Sequence, residues 1–194
     1  MTFEDLKTIA DMLSAPVIVD STDSSLVARA KETQNTVVNR EDFVRDSRTP
    51  DEVLENSLLG YIGEFGVIQL TNGIWNPKTP DFVNFDRDSF GWDILVLNRI
   101  KLEIKHQSSE YFTVSHNRYQ MLVNNQKYYD LIVTTKNEPI DNKYWKVTPR
   151  LLITPKDYID NTKKSVYNKD NTKYPKMYYD HKSGKAFNLQ KEYV

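Results

Sequence analysis

Apolar side chains recur at helical spacing near the start of the chain and again after its first quarter. Residues 3–13 place their apolar side chains three or four positions apart, which predicts an amphipathic helix. Residues 26–48 show a mixed pattern from which we predict no element. The run from Thr49 to Glu52 combines a capping hydroxyl, a proline suited to the first helical turn and two acids that complement the helix dipole. It predicts a helix that continues to Glu64 or slightly beyond.

Two strand patterns follow each other closely in the middle of the chain. Residues 94–97 are continuously apolar, and residues 100–106 alternate apolar and polar side chains. Because only Asn98-Arg99 separates the two runs, we predict a β-hairpin that turns at these two residues.

The second half of the chain adds one helix and two further strands. Ser115 can cap a helix over residues 116–124. Residues 131–135 form a continuous apolar run of the kind that is buried within a sheet, and residues 144–154 predict another strand, with a possible interruption at Pro149. The order helix, strand, strand, helix, strand predicts an α/β (α+β) fold in which helices flank a central mixed β-sheet.

Charge is distributed unevenly along a chain whose net charge is only -1. Residues 1–64 carry a net charge of -7, residues 65–160 carry +1, and residues 161–194 carry +5. We divide the chain into an N-terminal helical decoration (1–50), a core (51–160) and a basic C-terminal extension (161–194). A basic segment favours a polyanionic partner, although a solvated lysine-rich surface explains the same charge.

The C-terminal extension interleaves lysines with tyrosines. Lysines neutralise phosphates and tyrosines stack on unpaired bases, so the segment could follow a nucleic-acid strand; alternatively, the tyrosines pin it to the core. The candidate nucleic-acid-binding residues are Lys163, Lys164, Lys169, Lys173 and Lys176.

Composition limits the chemistry that is available to the protein. The chain has no cysteine and only three histidines, which excludes thiolate metal sites and disfavours a histidine cage. A metal ion would therefore bind to oxygen ligands. The first residues lack the pattern of a signal peptide and no apolar run reaches membrane-spanning length, so we expect an intracellular, cytoplasmic protein without a membrane partner.

The predicted hairpin brings two acids and one lysine together. Side chains repeat every two residues on a strand, so Glu103 and Lys105 share one face, and pairing across the turn places Asp93 beside them. Two close carboxylates suit Mg²⁺, for which Mn²⁺ can substitute, and the lysine can orient a water or stabilise charge on a phosphate. Glu64, at the end of the preceding helix, could supply a third carboxylate to the same sheet edge.

The same residues carry a resemblance to a known family. Asp93 followed by Glu103-Ile104-Lys105 is similar to the D…ExK signature of the PD-(D/E)XK, or restriction-endonuclease-like, superfamily. Three flanking runs also resemble nuclease-like domains attached to restriction and helicase proteins: LGYIGE at 59–64, GWDIL at 91–95 and FTVSHN at 112–117. The resemblance covers roughly residues 55–135 and implies a restriction-endonuclease-like core.

The resemblance also implies functional roles. By it, Asp93 and Glu103 would be metal ligands together with Ile104, Lys105 the catalytic lysine and Glu64 an accessory acid. Gln107 and Ser115 are accessory candidates in the same region. The expected function is Mg²⁺-dependent hydrolysis of DNA by an endonuclease of restriction, phage or mobile-element type, with a homodimer as one way to cut both strands.

Two alternatives remain at this level. Pro80-Asp81 offers a literal Pro-Asp upstream of Glu103, although no strand pattern precedes it, and we favour Asp93. A relative that retained the fold without activity would be a nucleic-acid-binding or inhibitor protein. Arg118 stands where an acid is common in the relatives, and His106-Gln107 replaces their small hydroxyl residues.

Overall fold

The computed structural model describes residues 1–40, 48–77, 91–107, 112–124, 129–164, 176–180 and 182–189. Five helices are assigned within these ranges: α1 (Phe3–Met12), α2 (Ser24–Val38), α3 (Pro50–Thr71), α4 (His116–Val123) and α5 (Pro155–Asn161). The strands of the described residues are β1 (Val17–Asp20), β2 (Ile74–Trp75), β3 (Ile94–Val96), β4 (Ile100–His106), β5 (Thr113–Ser115), β6 (Leu131–Pro139), β7 (Tyr144–Ile153), β8 (Thr162–Lys164), β9 (Lys176–Tyr179) and β10 (Phe187–Asn188).

The central sheet is mixed and has helices against it, as the sequence predicts. Its strands follow the order β1-β7-β6-β4-β3-β2, and β10 pairs with β7 outside this path. The pair β4–β6 is parallel, whereas β3–β4 and β6–β7 are antiparallel. A smaller sheet has the order β5-β9-β8. The fold is therefore α/β, with the predicted hairpin β3–β4 inside the central sheet.

Helix starts agree well with the capping signals of the sequence. Thr49 and Glu52 form a reciprocal capping box at the start of α3, and Thr2 and Asp5 form another at the start of α1. The helix α3 runs further than predicted, to Thr71, and ends at Asn72 in the left-handed conformation that asparagine tolerates. The helix α2, which falls in the range without a predicted element, is capped by Asp23.

Glycines allow α3 to pack unusually closely against the central sheet. A Cβ atom at Gly63 would lie 2.8 Å from Oγ1 of Thr135 on β6, and one at Gly66 would lie 2.7 Å from the Val147 side chain on β7. Real Cβ atoms do not approach other atoms so closely, so larger residues would push the helix outward. This close packing fixes the height of α3 above the sheet and with it the position of Glu64.

The strand β7 contains an irregularity next to its proline. Thr134 pairs with Leu151 and the following Thr135 pairs with Pro149, so Arg150 is an extra residue on β7 at this point. Proline cannot donate a hydrogen bond to a ladder and is tolerated in a strand beside such a bulge. The predicted interruption at Pro149 is thus a bulge within one strand.

The chain after α5 is paired with the rest of the protein through strands. The small sheet joins β9 to both β5 and β8, and β10 adds Phe187 and Asn188 to the edge of β7. Behind these pairs, an apolar cluster packs on the face of β6 and β7 that carries Ile132 and Ile153. Its other members are Phe112, Leu122, Leu151, Tyr158 and Tyr179.

Among the helices of the described residues, none combines the length and the apolar character that a bilayer crossing requires.

Candidate active site at the β3–β4 hairpin

The turn between β3 and β4 sets the register of the candidate site. Leu97 and Asn98 both have positive φ angles, 52° and 56°, and the amide of Arg99 donates to the carbonyl of Val96 at 3.2 Å. This is the pattern of a type I′ hairpin turn, which lies one residue earlier than the sequence suggested. In the observed register Ile94 faces Leu102. Asp93, the residue before Ile94, therefore lies beside the segment of β4 that begins at Leu102 and contains Glu103.

Backbone hydrogen bonds hold Asp93 in place at the start of β3. Its amide donates to the carbonyl of Leu102 at 2.8 Å, and its carboxylate oxygen Oδ2 accepts from the amide of Ile104 at 2.6 Å. The amide of Asn76 also donates to the carbonyl of Asp93 at 2.8 Å. The carboxylate is thus oriented by the strand that carries the other two candidate residues.

Lys105 joins the two candidate carboxylates. Its Nζ atom lies 2.6 Å from Oε1 of Glu103 and 3.9 Å from Oδ2 of Asp93. The Glu103 side chain is 3% exposed, whereas those of Lys105 and Asp93 are 22% and 24% exposed. The structure therefore brings the three residues together, with the Glu103 carboxylate buried and that of Asp93 half-buried.

Glu64 lies close to this group, and its environment disfavours ionisation. Burial raises the pKa of its carboxyl well above the usual range, and the neighbouring Asp93 carboxylate raises it further. The charges of Arg29 and Lys105 oppose this shift. The indole Nε1 of Trp75 donates to Oε2 of Glu64 at 2.9 Å.

Arg29, which the sequence did not single out, lies between the rings of Tyr61 and Trp75. Its guanidinium carbon is 5.4 Å from the Tyr61 ring centre and 5.2 Å from that of Trp75. One guanidinium nitrogen donates to the carbonyl of Asn76 at 3.2 Å. Because the Asn76 amide also donates a hydrogen bond to the carbonyl of Asp93, Arg29 connects α2 to the start of β3 through Asn76. Only the tertiary fold reveals this link, because residue 29 lies far from the motif in sequence.

Residues just past β4 continue its pairing with β6. The amide of Gln107 donates to the carbonyl of Thr135 at 2.7 Å, and the Gln107 residue is 4% exposed. By strand alternation Gln107 falls on the face that carries Glu103 and Lys105. The preceding His106 is half-buried, and burial lowers its pKa.

The remaining sequence candidates lie away from the hairpin or outside what is described. Ser115 ends β5 directly before α4, but its side chain lies outside the described structure. In β8, Lys163 forms an ion pair with Asp180 at 2.5 Å. Lys164 and Lys176 belong to strands whose side chains at these positions are not described, and Lys169, Lys173 and the alternative Pro80-Asp81 fall outside the described residues. Their roles stay predictions.

The donor set at the hairpin is compatible with a hard divalent cation. One ammonium group lies 2.6 Å from the Glu103 carboxylate and 3.9 Å from that of Asp93, so both carboxylates already face one cationic group. Within the described ranges there is no group of three or more acids and histidines that could hold a metal ion. Mg²⁺ does not require one, because it is commonly bound by one or two carboxylates while waters and phosphate oxygens complete its shell.

The comparison with protein-family models gives a match that covers most of the chain. The family model described as bacteriophage T4 endonuclease IV matches residues 3–178, which include every described residue of the hairpin site. Neither the comparison with curated proteins nor that with solved structures yields a significant match.

Proposed function

Since this chain belongs to the bacteriophage T4 endonuclease IV family, and is thus a phage endonuclease with DNA as its substrate, we propose that Asp93, Glu103 and Lys105 form its catalytic centre. We assign this centre to the PD-(D/E)XK type, with Mg²⁺ as the cofactor. The observation that supports the assignment best is the contact of one lysine ammonium with both carboxylates on one face of a hairpin.

The three side chains suit different parts of phosphodiester hydrolysis. Asp93 and Glu103 present carboxylate oxygens that can hold the cation, and the carbonyl of Ile104, directly after Glu103, is a further candidate oxygen ligand. The bound cation would supply Lewis acidity toward the phosphate and a lower pKa for its water. Lys105 can donate hydrogen bonds to the attacking water or to a phosphate oxygen, because its ammonium is partly exposed.

Neighbouring residues keep these groups in position. The Ile104 amide fixes one oxygen of Asp93, and the shared lysine limits how far the two carboxylates can separate. Glu64, whose raised pKa favours a protonated carboxyl in the absence of a cation, is the accessory acid of the proposal. We expect it to contribute less than Asp93 or Glu103.

Cleavage assays test the proposal directly. Purified protein should cut plasmid DNA with Mg²⁺ or Mn²⁺ and should stop when EDTA is added. Asp93→Asn and Glu103→Gln should each lower the rate by at least about 100-fold, because each removes a charge that holds the cation. Asp160→Asn is a matched control, since it removes an exposed acid that pairs with Lys156 on α5.

The outcomes separate a catalytic role from a structural one. Thermal unfolding should show that the two site variants fold, and the control should cleave at the wild-type rate. Undiminished cleavage in EDTA, or by a folded Asp93→Asn variant, would overturn the assignment. Linear and circular plasmid, single-stranded DNA and RNA should be compared in the same assay to define the substrate.

The proposal also covers the oligomeric state of the enzyme and its location in the cell. A chain with one centre cuts one strand at a time, so a symmetric dimer is the simplest arrangement for a double-strand cut. Sedimentation with and without DNA tests this. We also place the enzyme in the cytoplasm of the infected bacterium, where the DNA substrate lies.

A further inference from the structure

A basic groove lies on the β6–β7 hairpin, apart from the carboxylate site. It is a half-open groove with a volume of about 280 Å³. The lining residues come from β6, β7 and the segment before β1: Ser14, Ala15, Pro16, Lys136, Glu138, Lys146, Thr148, Pro149 and Arg150. Three of these described lining residues are cations and one is an acid, so together they carry a net positive charge.

Glu138, the acid among the described lining residues, pairs with one of the three cations and is influenced by the other two. Nζ of Lys136 lies 2.7 Å from Oε1 of Glu138. This hydrogen bond is the main cause of the lowered pKa of Glu138, and the charges of Lys146 and Arg150 contribute. Within the part of the chain that the structure describes, neither Lys146 nor Arg150 forms an ion pair. The described lining residues therefore include one acid and three cations, and two of these cations have no described counter-ion.

The bulge in β7 explains how Arg150 reaches the groove. Arg150 is the extra residue between the pairs formed by Pro149 and Leu151, and an extra residue redirects the side chains around it. On the regular side of the hairpin, Glu138 faces Lys146 and Lys136 faces Thr148. The side chains that line the groove thus follow from the register of two strands.

The groove lies on the same face of the sheet as the catalytic candidates. In the parallel pair, Glu103 stands beside Ile132 and Lys105 beside Thr134. Lys136 lies two residues beyond Thr134 on the same face of β6, a distance of about 7 Å. Glu138 lies four residues beyond Thr134, a distance of about 13 Å. Thr134 lies between Lys105 and Lys136 along this face and is fully buried, so it does not join the two sites into one open surface. The groove is therefore a contact point separate from the carboxylate site.

We propose that this groove binds the DNA backbone, with Lys136, Lys146 and Arg150 contacting a phosphate that flanks the cleaved bond. A strand carries one phosphate per about 3.4 Å of helix axis, so about two to four phosphates span the distance from Thr134 to the groove. Phosphate contacts position a substrate without reading its sequence. The inference rests on the proposed function in taking DNA as the ligand, but it does not require Asp93 or Glu103 to be catalytic.

Binding measured without cleavage tests the groove. Fluorescence anisotropy of a labelled DNA fragment in EDTA should be followed between 50 and 200 mM salt for the wild type and four variants. Lys146→Gln and Arg150→Gln should each weaken binding at low salt. Between 50 and 200 mM salt, the affinity of each variant should also fall by a factor about three-fold smaller than that of the wild type, because one phosphate contact accounts for about that part of the salt dependence. Glu138→Gln should bind more tightly than the wild type, because it removes the acid among the described lining residues of the groove.

Lys143→Gln provides the matched control on the same hairpin. Lys143 lies outside the groove, where its ammonium is 2.9 Å from Asp20 and rests against the Tyr144 ring. This variant should bind with the affinity and salt dependence of the wild type. Wild-type binding by the Lys146 and Arg150 variants, or weaker binding by Glu138→Gln, would overturn the inference.

The two proposals fail in different ways. If the wild type cleaves DNA and the groove variants bind it normally, the groove assignment alone is wrong. If the groove variants lose affinity while Asp93→Asn still cleaves, the catalytic assignment alone is wrong.

Discussion

The Lys105 ammonium is shared between two carboxylates that differ in burial. Glu103 is almost completely buried, so its charge depends on the nearby ammonium far more than the charge of the half-buried Asp93 does. A buried ion pair adds little net stability, yet removing one partner is costly because the other charge stays buried. The pair is therefore a sensitive place to separate folding from catalysis.

We expect Lys105→Met to lower the free energy of unfolding by about 3 kcal/mol in the absence of divalent cations. Adding Glu103→Gln should recover most of this loss, because the buried charge is then also removed, while activity stays absent. Urea unfolding of the two single variants and the double variant measures the coupling. Additive losses would show that the two residues do not stabilise each other.

At the level of single residues, the sequence identified the site where the motif is local. Asp93, Glu103 and Lys105 lie on one hairpin, so strand alternation alone predicts that they meet. The sequence could not identify Arg29 or Trp75 as neighbours of Glu64, because α2 and β2 reach the site only through tertiary packing.

At the level of elements, helices and strands with clear capping residues or alternating side chains were predicted correctly, whereas elements without such local signals were missed. The start of α3 and the strand β4 follow from capping residues and alternation. The helix α2 was missed because its buried face includes Ala30 and Thr33, which dilute the apolar pattern. The strands β8 to β10 were missed because their partners are distant in sequence, and pairing with such partners decides whether short strands form.

The close contact of α3 with the sheet can be tested with two glycines of the same helix. Gly66→Ala should lower the free energy of unfolding by about 2 kcal/mol, since the new methyl group would overlap the Val147 side chain. Gly60→Ala should raise it by up to about 1 kcal/mol, because no neighbouring atom lies within 4 Å and alanine favours the helix. Thermal or chemical unfolding gives both values. Equal effects of the same sign would contradict the packing described for Gly66.

At the level of the whole molecule, exposed carboxylates connect distant parts of the chain. Asp20, at the end of β1, binds Thr22 and also lies 2.9 Å from Lys143 in the turn after β6. The hydrogen bond from Thr22, followed by that from Lys143, lowers the pKa of Asp20 from 3.8 to about 2. Folding therefore favours the ionised form of this carboxyl.

This shift predicts a pH dependence of stability. The contribution of Asp20 is fully present above its unfolded pKa of 3.8 and is lost as the pH falls through the folded value of about 2. Asp20→Asn should therefore be less stable than the wild type at pH 7, and the difference should close between pH 4 and pH 2. Urea unfolding across this range checks the prediction. A constant difference would exclude the titration of Asp20 as the cause.

The small sheet has a consequence for the order in which the protein folds during translation. The strand β5 leaves the ribosome before α4, β6 and β7, yet its partner β9 follows all of them. The emerging polypeptide therefore carries an unsatisfied strand edge until late in synthesis, and such edges promote association with other chains. Premature termination before β9 would leave both β5 and β8 without the strand that joins them.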